Sequence, residues 1–135
     1  MPDIEMVSTP SRARILVVDD SSLVRLYYRD ALEKAGFEVE HAINGIEAME
    51  KVLAQAFDLL IVDVNMPRMD GFSFLRALRR SAREVATIPA LIITTEAGEQ
   101  DIEDARAAGA NFYLVKPVSE ADLLRHAVVL TGAST

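Results

Sequence analysis

The sequence predicts an α/β fold: a doubly wound, five-stranded parallel sheet with helices on both faces. Two observations carry that expectation. Short apolar runs alternate with stretches whose apolar residues recur at helical spacing, giving five strand–helix units. Three of the runs stop abruptly at charge: Ile15-Leu16-Val17-Val18 at Asp19-Asp20, Leu59-Leu60-Ile61-Val62 at Asp63, and Tyr113-Leu114-Val115 at Lys116-Pro117. Unbroken apolar runs of this kind suit strands buried on both faces, which is the setting of a parallel sheet.

The elements follow in order. Residues 1–12, with Pro2, Pro10 and no apolar period, are expected to form a mobile extension, residues 13–131 one domain, and residues 132–135 a short tail. Arg14 to Val18 is the first strand. Ser21 and Ser22 are candidate caps for a helix carrying Val24, Tyr27, Tyr28, Ala31, Leu32 and Ala35, which Gly36 ends. Phe37 to Ala42 reads as the second strand, and Asn44 caps a helix with Ala48, Met49, Val52 and Leu53 on its apolar side. Asp58 to Val62 is the third strand. A Pro67-Arg68-Met69-Asp70-Gly71 turn leads into a helix marked by Phe72, Leu75 and Leu78. Ala90 to Thr94 is the fourth strand, Glu99 to Ala108 the fourth helix with Gly109 at its end, and Asn111 to Val115 the fifth strand. Ser119 and Asp122 form a capping-box pattern ahead of the fifth helix, with Leu123, Leu124, Ala127 and Val128 inward.

Composition narrows the function. A chain of 135 residues, 50% of them hydrophobic, builds one domain with a full core. No apolar stretch approaches the roughly 20 residues that span a bilayer, so a cytoplasmic protein without membrane insertion is expected. The absence of cysteine rules out disulfides and thiolate chemistry. A net charge of -7 argues against binding nucleic acid, and the basic run Arg76, Arg79, Arg80 and Arg83 reads as a solvated helix face.

In an open parallel sheet, ligands bind beyond the carboxyl ends of the strands, where Asp19, Asp20, Asp63 and Lys116 all fall. Each acid alone reads as a turn or cap residue. Together they crowd like charges that a cation must relieve, and an all-oxygen set without cysteine or nearby histidine suits Mg²⁺ better than zinc. Phosphoryl transfer to a carboxylate needs a nucleophile, a metal, a second cation and a hydroxyl donor, and Asp63, Asp19 with Asp20, Lys116 and Thr94 supply that complement. Lys116 also has an ordinary reading, a strand-end lysine reaching water. The Lys116–Pro117 peptide is a candidate cis bond.

Four segments, Arg14-Ile15-Leu16-Val17-Val18-Asp19-Asp20, Asp63-Val64-Asn65-Met66-Pro67-Arg68-Met69-Asp70-Gly71, Ile92-Ile93-Thr94-Thr95-Glu96-Ala97 and Gly109-Ala110-Asn111-Phe112-Tyr113-Leu114-Val115-Lys116-Pro117, occur in an order that resembles the receiver domain of two-component response regulators. The resemblance runs from about Arg14 to Leu130. It implies a flavodoxin-like strand order 2-1-3-4-5. It also implies that Asp63 is the phosphoacceptor, that Asp20 binds Mg²⁺ directly while Asp19 helps to hold it, and that the backbone carbonyl of Asn65 is a further ligand. Lys116 would pair with the phosphoryl group, Thr94 would move toward it, and Tyr113 would change rotamer, altering the surface of the fourth helix, fifth strand and fifth helix. The implied partners are a histidine kinase or histidine phosphotransfer protein and a downstream protein target, with the chain a monomer or weak dimer. Thr95 and Val118 depart from the commonest family pattern, whereas Asn65 and Glu96 resemble chemotaxis-type single-domain receivers.

With only Thr131 to Thr135 beyond the last helix, a stand-alone module is expected, acting through another protein in chemotaxis-type signalling or a phosphorelay. The competing reading is a small Mg²⁺-dependent phosphatase with an aspartyl-phosphate intermediate. Such enzymes carry a proton-shuttling carboxylate two residues after the nucleophile, where this chain has Asn65. A flavodoxin-like cofactor binder is disfavoured because two carboxylates, rather than a glycine-rich phosphate loop, follow the first strand. For Tyr113 the plain alternative is packing, with its hydroxyl in water.

Overall fold

The computed structural model describes residues 12–132, so the expected extension (all but Arg12) and the tail beyond Gly132 lie outside the described residues. The elements are β1 (Arg14–Val18), α1 (Ser22–Lys34), β2 (Glu38–Ala42), α2 (Gly45–Ala54), β3 (Leu59–Val62), α3 (Gly71–Arg79), α4 (Arg83–Ala86), β4 (Ala90–Thr94), α5 (Glu99–Ala108), β5 (Phe112–Val115) and α6 (Glu120–Thr131). All strand pairings are parallel and the order is β2-β1-β3-β4-β5, as expected.

The three central strands explain the unbroken apolar runs. Every residue of β3 and β4, and all of β1 after Arg14, is buried. Successive side chains of a strand point to opposite faces. Leu16, Val18, Leu60, Val62 and Ile92 therefore enter one core with Phe74, Leu75 and Leu78 of α3, under α2, α3 and α5. Ile15, Val17, Leu59, Ile61 and Leu91 enter the other with Leu32 and Leu123, under α1 and α6. The edge strand β2 is less buried: Glu38 is exposed, Val39, Glu40 and His41 are half-buried, and Ala42 at its end is buried.

Caps act where polar residues precede helices. The side chains of Ser21, Asn44, Asp70 and Ser119 accept from the N–H groups of Val24 (3.3 Å), Glu47 (2.9 Å), Ser73 (2.8 Å) and Asp122 (3.1 Å). Each satisfies an amide that a helix start leaves unpaired.

Several expectations need correction. The four-residue α4 was not foreseen, because it is too short to show a period and has no buried residue. Leu53 and Tyr27 sit at helical spacing yet point outward, at 65% and 45% exposure. Phe72 is only partly buried, and Phe74 takes the inward position with Leu75 and Leu78. The basic run is not uniformly solvated. Arg76, Arg80 and Arg83 are exposed, but Arg79 is half-buried. Its Nε and Nη2 donate to Gly109 O at 3.1 and 2.7 Å, its Nη1 to Ala86 O at 2.9 Å and Ile88 O at 2.6 Å, and Nη2 also to Asn111 Oδ1 at 3.0 Å. Charge pattern alone gives no hint that carbonyls converge on one of four arginines.

Candidate functional site

β1 and β3 are neighbours although β2 lies between them in sequence, so their carboxyl ends meet where the strand order reverses. Val18 is paired with Val62, and one step on the Asp63 N–H donates to Val18 O at 2.9 Å. This register brings the first and second acidic landmarks together. Asp19, Asp20 and Asp63 each offer a carboxylate oxygen within 4.8 Å of the others. Asp19 and Asp63 are 2% and 8% exposed, while Asp20 is exposed.

Lys116 arrives from the end of β5. Its N–H donates to Thr94 O at 2.7 Å, continuing the β4–β5 ladder, and the Lys116–Pro117 peptide is cis. The ammonium lies 3.3 Å from Asp19 Oδ2 and 3.6 Å from Asp63 Oδ1. One ammonium thus pairs with two of the three carboxylates. Burial first, then the charge of Asp19, pushes the Asp63 carboxyl up to about 6, against the opposing pull of Lys116. The donor set is all oxygen, without thiol or imidazole, and it carries surplus negative charge. That chemistry fits a hard divalent cation such as Mg²⁺ and does not suit zinc.

Asp19 is tethered on every side. Its N–H donates to Ala42 O at 3.0 Å, its carbonyl accepts from Arg25 Nη1 at 2.7 Å, and its Oδ1 accepts from the Ser21 N–H at 2.9 Å. The backbone of Asp63 is pressed from behind by Gly71, where an added Cβ would lie 2.3 Å from Asp63 O. The Gly71 N–H closes this turn on Val64 O at 3.0 Å. Only glycine allows the β3–α3 loop to fold back so closely.

Thr94 ends β4 fully buried, its Oγ1 accepting from the Glu96 N–H at 3.3 Å. Tyr113 is half-buried on β5 opposite Ile92, and its hydroxyl donates to Glu96 O at 2.5 Å. Both side chains are therefore linked to the same short loop after β4. Asn65 is exposed, two residues beyond Asp63.

Sequence reasoning missed Arg25, which interrupts the apolar period of α1 and gives no sign of reaching back to Asp19. It read Ser21 as a cap only, and Tyr28 as core only. Tyr28 is 4% exposed, and burial followed by the charges of Asp19 and Asp63 holds its phenol protonated far above the usual range. Beside the cluster, Leu23, Tyr27, Tyr28, Lys116 and Val118 line an open groove of about 500 Å³.

No helix among the described residues is long and apolar enough to cross a membrane. Comparison with known proteins gives a consistent identification. The response regulator receiver domain model matches residues 15–128. The chemotaxis protein CheY1 of Helicobacter pylori is 39% identical over 123 residues, which are 90% of this chain and 98% of that protein. The sensor protein EvgS of Escherichia coli is 36% identical over 113 residues, 84% of this chain but only 9% of that protein. A gliding motility regulatory protein of Myxococcus xanthus is 39% identical over 117 residues, with 15% of its length covered. The chain thus spans a small part of these last two relatives. Among solved structures, chemotaxis protein CheY4 of Vibrio cholerae superposes with a TM-score of 0.84 at 38% identity, covering 89% of this chain and 99% of that one. A putative response regulator from Chloroflexus aurantiacus gives 0.85 at 30% identity, covering 90% and 99%. With the parallel sheet in the order 2-1-3-4-5 and the acidic cluster at its carboxyl edge, the chain belongs to the response regulator receiver domain family.

Proposed function

We propose that the protein is a phosphorylation-dependent switch in chemotaxis-type signalling or a phosphorelay. Asp63 accepts a phosphoryl group from a histidine kinase or histidine phosphotransfer protein, and the phosphorylated form binds a downstream protein target. The observation that carries this reading is a buried carboxylate in surplus negative charge with one ammonium 3.6 Å away. Asp19, Asp20 and Asp63, with the backbone carbonyl of Asn65, are the groups that would hold Mg²⁺. When bound, Mg²⁺ supplies positive charge to offset that of the transferring phosphoryl oxygens.

The residues of the chain do the rest. An ionised Asp63 oxygen attacks phosphorus, a P–O bond forms, the P–N bond of the donor breaks, and its electron pair stays on the imidazole nitrogen. The product replaces one carboxylate charge with roughly two and adds strong acceptors. Lys116 is already in place to pair with them, and the Thr94 hydroxyl can exchange the Glu96 amide for a phosphoryl oxygen. That exchange disturbs the loop to which the Tyr113 hydroxyl is bonded. Next to Tyr113, Ile102, Arg106, Phe112 and Val115 line a groove of about 340 Å³ on α5 and β5. Phe112 and Val115 are 47% and 41% exposed, which supports a partner surface there. These are the elements expected to form the output face, with α6 completing it. A cysteine-free chain with no spanning helix among its described residues is in keeping with a cytoplasmic module, and we infer a monomer or weak dimer.

Incubation with acetyl phosphate and Mg²⁺, followed by intact mass, is expected to give one labile phosphoryl adduct that Asp63→Asn abolishes. Sustained turnover of external phosphate esters would favour the phosphatase reading instead. For the switch, Thr94→Ala and Tyr113→Ala are expected to weaken phosphorylation-dependent binding of the target by about tenfold, roughly 1–2 kcal/mol, while changing Mg²⁺ affinity less. Equal losses in both would break the proposed link between the site and the α5–β5 surface.

A further inference from the structure

We propose that Arg25 is a positioning residue for the acidic cluster: it grips the carbonyl of Asp19 and so fixes the peptide from which Asp20 presents its carboxylate. The inference rests on reading that cluster as a Mg²⁺ site.

Asp20 is the cluster member that nothing else holds. Among the described residues its side chain has no hydrogen bond and no ion pair, and it is exposed, whereas Asp19 and Asp63 are buried beside Lys116. Its aim therefore depends on its backbone. The Asp19 carbonyl belongs to the planar unit that joins Asp19 to Asp20, so fixing that oxygen restricts the last torsion of Asp19 and the first of Asp20. Arg25 Nη1 makes this contact at 2.7 Å, at the short end of the charge-assisted range. On the far side of Asp20, the Ser21 N–H is held by Asp19 Oδ1 at 2.9 Å. Asp20 is thus the middle of an arch with both feet fixed, and Arg25 is the only foot-holder that is not itself next to the cluster in sequence.

The guanidinium is also confined. Arg25 is half-buried on α1, and its Nε is buried with no hydrogen-bond partner. Burial first, then the charges of Arg25, Arg29 and Lys51, depresses the basicity of the nearby His41 ring on β2, whose Nε2 is buried and unpartnered too. A long cation left with an unsatisfied buried donor is held against a cost, and the strong contact it keeps is the one to Asp19. A merely structural Arg25 would tie α1 to β1 and affect stability alone. A positioning residue must also change metal affinity, since groups that orient metal ligands typically contribute factors of ten or more.

The test compares the wild-type chain with Arg25→Met and Arg25→Lys. Mg²⁺ binding is measured by calorimetry, and thermal unfolding is followed in EDTA. We expect Arg25→Met to raise the Mg²⁺ dissociation constant about tenfold and Arg25→Lys, which keeps one donor, by a smaller factor. In EDTA the melting temperatures should stay within a few degrees of wild type. Dissociation constants within about twofold of wild type in both variants would overturn the proposal, whatever the melting temperatures. If Arg25→Met fails to fold, Arg25→Lys alone decides. A wild-type chain that bound no Mg²⁺ would instead overturn the reading of the cluster, which separates the two failures.

Discussion

Each end of the sheet gathers buried polar groups around one long cation, and the two ends do so in opposite ways. At the amino ends of β4 and β5, Arg79 meets only neutral acceptors: the carbonyls of Ala86, Ile88 and Gly109 and the side chain of Asn111. Asn111 in turn accepts from the Ala90 N–H at 2.8 Å, so the network closes on the first residue of β4. At the carboxyl ends of β1, β3 and β5, Lys116 meets Asp19 and Asp63, with Asp20 beside them, while Arg25 binds the Asp19 carbonyl, so the carboxylates outnumber the one cation paired with them. The first arrangement satisfies every group it buries. The second leaves charge for a ligand to complete, as sites do when stability is given up for chemistry.

Glycines mark both ends for the same steric reason. Gly109 ends α5 in the left-handed region with φ 112°, and an added Cβ there would lie 2.7 Å from Arg79 Cγ. Gly71 stands as close behind Asp63. One close approach seats a clamp, and the other packs against the backbone of Asp63.

The contrast can be broken most forcefully at the clamp. Arg79→Ala removes the donors to several partly buried acceptors and is expected to lower unfolding free energy by roughly 2–4 kcal/mol, measured by urea denaturation, while the folded variant still takes up one phosphoryl group. A loss under about 1 kcal/mol would mean that water replaces the guanidinium easily. Gly71→Ala is expected to cost about 2 kcal/mol and, unlike Arg79→Ala, to slow phosphorylation as well, because its Cβ displaces the Asp63 backbone. Rates from acetyl phosphate labelling would separate the two.

The smallest effect has the opposite sign. The folded Asp63 carboxyl titrates at about 6 against an ordinary value of 3.8, so the native state holds this proton more tightly than the unfolded chain does. Its stabilising contribution is full below the ordinary value and is lost as pH rises through about 6. Asp63→Asn in EDTA is therefore expected to be more stable than wild type by about 1–2 kcal/mol at pH 7.5, with the gain shrinking toward zero near pH 4. Denaturation curves at both pH values check it, and an unchanged gap at low pH would remove the burial and repulsion of the ionised carboxylate as the cause.

The two ends were not equally legible in the sequence. The carboxyl edge declared itself because Asp19, Asp63 and Lys116 interrupt apolar runs that must be strands, and parallel pairing leaves such interruptions nowhere else to go. The amino edge did not. Arg79 sits among three exposed arginines and its acceptors are backbone carbonyls, which a sequence does not display. Arg25 was hidden for a similar reason, since its partner is the carbonyl of Asp19. Short α4 lacked the length to show a period. Leu53 and Tyr27 keep helical spacing but fall at the margins of their helices' inward faces, which helices of 10 and 13 residues define only loosely in sequence.

The alternation of β4 between the two cores has a consequence for how far a signal spreads. Ala90 and Ile92 enter the core under α2, α3 and α5, and Leu91 and Ile93 the one under α1 and α6. By the same alternation Thr94 belongs to the first side, as does Tyr113. The sheet acts as a bulkhead. A disturbance starting at Thr94 is delivered into one compartment, and hydrogen exchange on phosphorylation should quicken or slow along α5 while the packed turns of α1 around Ala31 and Leu32 keep their rates.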